Sequence, residues 1–345
     1  TSMWSILPWF KPAVSYSASS IENNVLNVST FVVGASTTVF DIGDIKTVNR
    51  NATGNISLSL SAAEMFSKTK LFRSFSVTNG YQTQDGDSWN NIERSLDTKT
   101  ALWIRTPLRP TSRFAQRINL TLRDTANSTQ RWSPLEAYDL KGRIEAFKSL
   151  SLTNNFVKSV QRSETTGTPS KTISTTLPDL IASIGSLEKL VRADRWAKNM
   201  QMNFKYSQRT VENVATTFQT DDSFGTDLRA IIRKRFDTSV SFNLRTGANE
   251  DLRINQVTQT TEHKDAAIQT TFDIRKFRFT PKVDYQSDVT ALGTGQRSQD
   301  TTVITPSLLV RADLAVPGGI KVPFRRRTLT FTNRIIWTTT ASLAL

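Results

Sequence analysis

Few residues in this chain could carry out covalent or acid–base chemistry. Its 345 residues include no cysteine and one histidine, His263. Thiolate nucleophiles, thiolate metal sites and disulfides are thereby excluded. A multi-histidine metal site or a Ser-His triad would rest on His263 alone. Glu262 beside it completes no recognisable acid–base pair. No glycine-rich phosphate loop follows a strand, and no paired-carboxylate or metal-ligand spacing stands out. The expectation is a protein that is not an enzyme and uses no metal or cofactor. Five Asn-x-Ser/Thr sequons begin at Asn27, Asn51, Asn55, Asn119 and Asn127. Such matches arise by chance in Asn/Ser/Thr-rich strands.

Charge is the next chemical feature. The formal net charge is +14, which first suggests nucleic acid. The cations, however, form no single block or helix face, and no aromatic–basic platform or groove-sized helix accompanies them. A nucleic-acid partner is not expected. Instead the basic residues alternate with small polar ones. Arg117 and Arg123 go with Asn119 and Thr121, Lys205 with Gln201 and Asn203, and Arg245 with Ser239, Ser241 and Asn243. Arg275 goes with Asp273, Arg278 with Thr280, and Arg334 with Thr332. The densest cluster, Arg325-Arg326-Arg327, reads as a solvated turn that blocks edge pairing; anionic lipid phosphate is its functional alternative.

Such spacing needs strands to position it. In Met200-Gln-Met-Asn-Phe-Lys-Tyr206 apolar and polar residues alternate strictly, the period of a strand and not of a helix. The same alternation places Ile118, Leu120 and Leu122 on one face, then Met202 and Phe204, then Val240, Phe242 and Leu244. Phe272 with Ile274, and Phe331 with Ile335, continue it. No run approaches the roughly 18 apolar residues of a membrane helix, but barrel strands need only ~9–11 residues with alternate ones apolar. The fold class read from this pattern is all-β: a transmembrane antiparallel up-and-down β-barrel, or a large segment of a barrel wall, with about 13–15 strands. The apolar residues would face lipid, and a distinctly basic polar face would line a lumen. Trp9, Tyr81, Trp196, Tyr206, Tyr285 and Trp337 stand near expected strand ends, as interface aromatics do.

From residue 196 onward strands are expected at 197–208, 226–235, 238–246, 259–275, 277–287, 301–314 and 327–344. The connections between them then alternate long and short, as external loops and tight turns of a barrel would. Residues 43–55, 83–98 and 161–176 read as connections, 100–106 as a short strand and 143–156 as a strand. Ser133-Pro134-Leu135-Glu136 has the form of a helix start, ended by Gly142. No secretory signal segment opens the chain, and residues 1–345 are expected to form one unit cut from something longer.

Several stretches resemble the strand entries of SprA/Sov-type outer-membrane translocons of type IX secretion. They are Trp9…Pro12…Tyr16, Arg131-Trp132-Ser133-Pro134-Leu135, Leu177-Pro178-Asp179-Leu180, and the hairpin from Val240 through Glu262 to Phe272. The resemblance is diffuse and covers most of the chain as pattern. It implies the C-terminal barrel region of a protein-conducting channel, tied to secretion and gliding motility at the bacterial cell surface. The partners it implies are outer-membrane lipid, secreted protein substrates and other translocon proteins. The chain departs from barrel habit in ending Ala341-Ser342-Leu343-Ala344-Leu345 rather than on an aromatic residue. Two other readings stay open. One is a different outer-membrane barrel: a porin, a receptor or a lipopolysaccharide-handling protein. The other is a soluble or surface β-rich binding protein whose apolar residues turn inward.

Overall fold

The structure is a computed structural model. It describes residues 2–3, 7, 9–24, 30–33, 36–39, 45–65, 69–98, 108, 115–165, 167–314, 320–321, 328–329 and 335–342. Twelve long strands dominate it: β1 (Phe10–Asn24), β2 (Ile45–Ser61), β3 (Ser76–Glu93), β4 (Gln116–Trp132), β5 (Ser151–Thr165), β6 (Thr168–Ile184), β7 (Ala197–Asn213), β8 (Thr217–Ile232), β9 (Phe236–Asp251), β10 (Gln256–Ile274), β11 (Phe277–Leu292) and β12 (Arg297–Leu314). They pair antiparallel in chain order in one 14-stranded sheet. Ser2–Met3 pairs with β1 at one edge, and β13 (Ile335–Ser342) pairs with β12 at the other. The fold is thus all-β and up-and-down.

Connections alternate between the two ends of the sheet. Those after β2, β4, β6, β8 and β10 lie at what we term the first rim; those after β1, β3, β5, β7, β9 and β11 lie at the second. The helical pieces among the described residues, Ala62–Met65, Lys70–Phe72, Gly142–Ser149 and Leu187–Leu190, all fall in first-rim connections. None is long and apolar enough to cross a membrane.

The expected long–short alternation of connections is not observed. Residues 214–216, 233–235, 252–255, 275–276 and 293–296 are all tight turns. The segments read as long loops, 209–225, 247–258 and 288–300, are mostly paired strand. The same holds for 161–176, which forms the β5–β6 hairpin, and for much of 83–98 and 43–55. Their cause is common: beyond a certain height these strands carry polar residues on both faces, which erases the period-two signal. Ser133–Glu136 closes a turn, with the Glu136 N–H donating to the Ser133 carbonyl at 3.3 Å, rather than opening a helix. Gly142–Ser149 is a 3-10 segment, and β5 begins only at Ser151. Pro178 lies inside β6 instead of opening it. The register shifts beside it on both neighbours, between Asn155 and Val157 and between Ser207 and Arg209, which is how a sheet accommodates a residue with no N–H to donate. The expected strand 100–106 lies outside the described residues.

Among the described residues there is no second layer. Substantial contacts among the described elements run between neighbouring strands, between the Gly142–Ser149 and Leu187–Leu190 segments, and between those segments and the ends of β6 and β7. Val48, Ile92 and Leu108 form the hydrophobic core cluster, with Trp89, Leu96 and Ala115 packed against it. The chain exposes 23095 Å². A compact globular protein of its 38.7 kDa would expose about 14,000 Å². The excess follows from one sheet with two accessible faces.

Candidate functional site: a wall with an apolar band and a polar face

Residues directly opposite in an antiparallel pair share a face, so the register sorts every side chain. One row across six strands reads Met202–Leu228–Val240–Ile268–Val283–Pro306, and the next reads Phe204–Thr226–Phe242–Ala266–Tyr285–Ile304. These apolar side chains are exposed: Phe204 37%, Val240 42%, Ile268 50%, Val283 42%, Ile304 42%. Of the polar residues within this band, Thr238 and Thr270 satisfy each other at 3.2 Å. On β8–β12 the band occupies about nine residues per strand, for example 236–244 and 266–274. At about 3.3 Å per residue that is roughly 30 Å along the strand, or roughly 23 Å when the strand tilts by about 40°, close to the ~25 Å apolar height of an outer-membrane barrel.

Aromatic residues border the band on both sides. Toward the first rim, Phe236 lies tilted against Phe272 at 5.4 Å, Phe272 stacks on Phe279 at 5.6 Å, Phe277 lies 6.4 Å from Phe279, and Trp196 is 52% exposed. Toward the second rim stand Tyr206, Phe224 and Tyr285, all exposed. Tyr206, Tyr285 and Tyr81 are therefore mid-strand, not at strand ends as expected, because the strands run on well beyond the band. Tyr81 donates to Asp124 at 3.0 Å. Trp9 lies in the turn before β1, edge-on to Phe10 at 5.9 Å. Trp337 and Ile335 lie opposite Ala312 and Leu314 in β13. Phe331, Arg334 and Arg325–Arg327 lie outside the described residues.

The band thins over β3–β5. There the equivalent rows read Leu60–Val77–Gln130–Asn154–Leu180 and Ile56–Tyr81–Ala126–Lys158. Leu120 lies between Asp87 and Glu164, and Leu122 between Asp85 and Arg162, so these two leucines have charged neighbours on their own face.

The opposite face is mainly polar, with scattered apolar residues such as Ile181, Val303 and Leu309. Its rows include Lys205–Gly225–Asn243–Asp265–Gln286 and Gln201–Arg229–Ser239–Gln269–Lys282–Ser307. Arg123, Lys205, Arg245 and Arg278 project there. Hydroxyls and carboxamides bridge strands on this face, as in Ser207–Ser223 (2.7 Å) and Asn155–Asp179 (3.0 Å). Gly225 and Gly247 leave room for this network: a Cβ on Gly247 would meet Thr261 Oγ1 at 2.6 Å and Asp221 Oδ1 at 2.9 Å.

Two expectations about this face need correction. It is less basic than expected, because four of its cations meet carboxylates: Arg229–Asp237 at 2.6 Å, Arg278–Asp273 at 2.8 Å, Lys282–Asp284 at 2.7 Å and Arg245–Asp221 at 3.6 Å. His263 sits between Asp265 (2.6 Å to Nε2) and Asp288 at Nδ1. Only an imidazolium has the two N–H groups to donate to both. Arg117 and Arg275 also depart from their expected places. A register shift between Ser88 and Trp89 skips Ile118 and turns Arg117 to the face of Leu120. There it pairs with Glu164 and lies 5.7 Å from the Trp89 ring centroid. Arg275 occupies the β10–β11 turn with φ 56°.

The missing positive charge is found at the first rim. The β8–β9 and β10–β11 turns read Arg233-Lys234-Arg235 and Arg275-Lys276, all exposed. These residues were legible as a basic run at a hairpin centre, but 226–235 read as strand concealed the turn. No group of carboxylates and histidine able to hold a metal occurs among the described residues. No family model matches the chain, and no curated protein matches it significantly.

Proposed function

We propose that the chain is a stretch of outer-membrane β-barrel wall whose apolar face meets lipid and whose polar face lines an aqueous path. It acts as a conduit and not as a catalyst. The observation that carries this reading is the register-aligned apolar band, exposed over about nine residues per strand and bordered by aromatics. A soluble protein would bury that band beneath a second layer; exposing so large a contiguous apolar patch to water is rare. Polar groups on the other face are cross-linked by short hydrogen bonds and ion pairs, which suits a wetted lumen. The further step, passage of secreted proteins with translocon partners, rests on the resemblance to SprA/Sov-type proteins. So do the bacterial outer-membrane location and closure of the barrel by additional strands.

Fractionation tests the reading. The expressed chain should be recovered in the outer membrane, require detergent for extraction, and run faster on gels unheated than boiled. A monomer that stays soluble without detergent would favour the β-rich binding protein instead.

A further inference from the structure

Three cations at the first rim form no ion pair among the described residues. A cavity of about 570 Å³ opens there between the Gly142–Ser149 segment and the Leu187–Leu190 turn. Two of its three acidic residues are already engaged. Glu145 pairs with Lys189 at 2.8 Å, and the Glu188 carboxylate accepts the Met200 N–H at 2.9 Å. Arg143, Arg192 and Lys198, which also line it, are exposed and form no ion pair among the described residues; Asp194 is the one remaining acid. Arg192 and Asn199 hold left-handed backbone, φ 59° and 53°, a conformation that an arginine adopts only rarely.

The position of this cavity matters as much as its charge. Ala197, on its wall, pairs with Ile232, where the apolar band ends, and Lys198 pairs with Ile231 at the edge of the polar face, so the cavity sits where the two faces meet at the rim. Exposed Trp196 is adjacent, and its carbonyl accepts the Arg233 N–H at 2.6 Å. The Arg233–Arg235 turn therefore lies next to the segment that lines the cavity. Arg233, Lys234 and Arg275 are left-handed too (φ 47°, 62° and 56°), so cations occupy places where glycine would be easier. At the second rim the matching turns 214–216 and 293–296 carry no cation, and Arg253 in 252–255 is bound to Asp251 at 2.7 Å.

We propose that this cavity binds the phosphate of a lipid headgroup, with Arg143, Arg192 and Lys198 as its ligands. The inference rests on the membrane reading, because only a bilayer around the band brings headgroups to this height. A phosphate there would supply the anion that unpaired cations beside an apolar surface call for.

The test is native mass spectrometry of the full chain, released from neutral detergent containing equal phosphatidylglycerol and phosphatidylcholine. The wild type should retain phosphatidylglycerol preferentially. Arg143→Gln/Arg192→Gln/Lys198→Gln should lose that preference, by about fivefold per cation removed. Lys158→Gln/Arg162→Gln/Lys171→Gln, which removes equal charge elsewhere, should keep it. Arg143→Lys/Arg192→Lys should keep it as well, which separates lost ligands from lost structure. Equal retention of both lipids by the wild type, or an unchanged preference in the rim variant, overturns the proposal. Displacement of the lipid by inorganic phosphate at millimolar concentration would make this a free-phosphate site and overturn the lipid assignment. A chain that enters neither micelle nor membrane fails at fractionation, which marks failure of the membrane reading itself.

Discussion

Phe272 and Phe279 stack across the β10–β11 hairpin with ring centroids 5.6 Å apart. One residue further along the same strands, Asp273 and Arg278 pair on the opposite face at 2.8 Å. A slip of one residue would exchange the two pairs between faces. The register of this hairpin is thus fixed twice, by an aromatic pair on one side and an ion pair on the other. The two contributions are unequal. Asp273 and Arg278 are each 56% exposed, so their pairing is worth about 0.2–1 kcal/mol. An aromatic pair adds about 0.5–1.5 kcal/mol beyond the area it buries. A double-mutant cycle on Asp273→Asn and Arg278→Gln in refolded liposomes should return a coupling in the lower range.

Placing a charge in the band separates the faces energetically. Ile268→Arg should destabilise the folded chain in lipid by about 2–4 kcal/mol, as for cations at a bilayer midplane, while Gln269→Arg on the polar face should cost well under 1 kcal/mol. Urea unfolding from liposomes measures both. Equal costs would mean that the band does not meet lipid.

Crowding should tell at Gly247, where a side chain would strike Thr261 on one neighbouring strand and Asp221 on the other. Gly247→Val should cost about 1–3 kcal/mol by overpacking and also weaken the Arg245–Asp221 pair. Gly295, whose turn has open space around it but a φ of +83°, should accept Asn, which tolerates left-handed backbone, at a smaller cost. Melting of the two variants in one detergent checks the contrast.

The Glu145–Lys189 pair gives a pH dependence at the first rim. The hydrogen bond from Lys189 holds the Glu145 carboxyl below its ordinary value, and the Glu145 hydrogen bond holds Lys189 above its own. A lowered carboxyl contributes stability above the unfolded value and loses it as pH falls through the folded one. A raised lysine contributes below the unfolded value and loses it as pH rises through the folded one. The pair therefore helps across neutral pH. Glu145→Gln should lower the melting temperature at pH 7, and the difference should close as pH falls below the ordinary glutamate range. A constant difference at all pH values would show that the ion pair is not its cause.

Sequence patterning revealed the strands only where one face is apolar. Residues 200–206 and 240–244 announce themselves because Phe, Met, Val and Leu alternate with Ser, Asn and Lys. The continuations of the same strands, such as 209–213 and 246–251, are polar on both faces and read as loops. The bulge at Arg117–Ile118 left no mark in composition, since a skipped residue changes register and not residue type. Pro178 suggested a strand start because proline usually avoids strand interiors, but register shifts on both sides accommodate it within β6. The first-rim cations were visible as residues, yet their clustering appears only when the hairpins close and bring 192–198, 233–235 and 275–276 to one end.

The central claim is that Val240, Ile268 and Val283 face lipid while Ser239, Ser241 and Gln269 face water. The chain has no native cysteine, so single cysteines at these six positions can each carry one spin label in liposomes. The account predicts that labels at the first three are reached by oxygen dissolved in the bilayer and shielded from a water-soluble nickel complex, with the reverse at the other three. Labels at Val240, Ile268 and Val283 that the nickel complex reaches as readily as those at Ser239, Ser241 and Gln269 would contradict it.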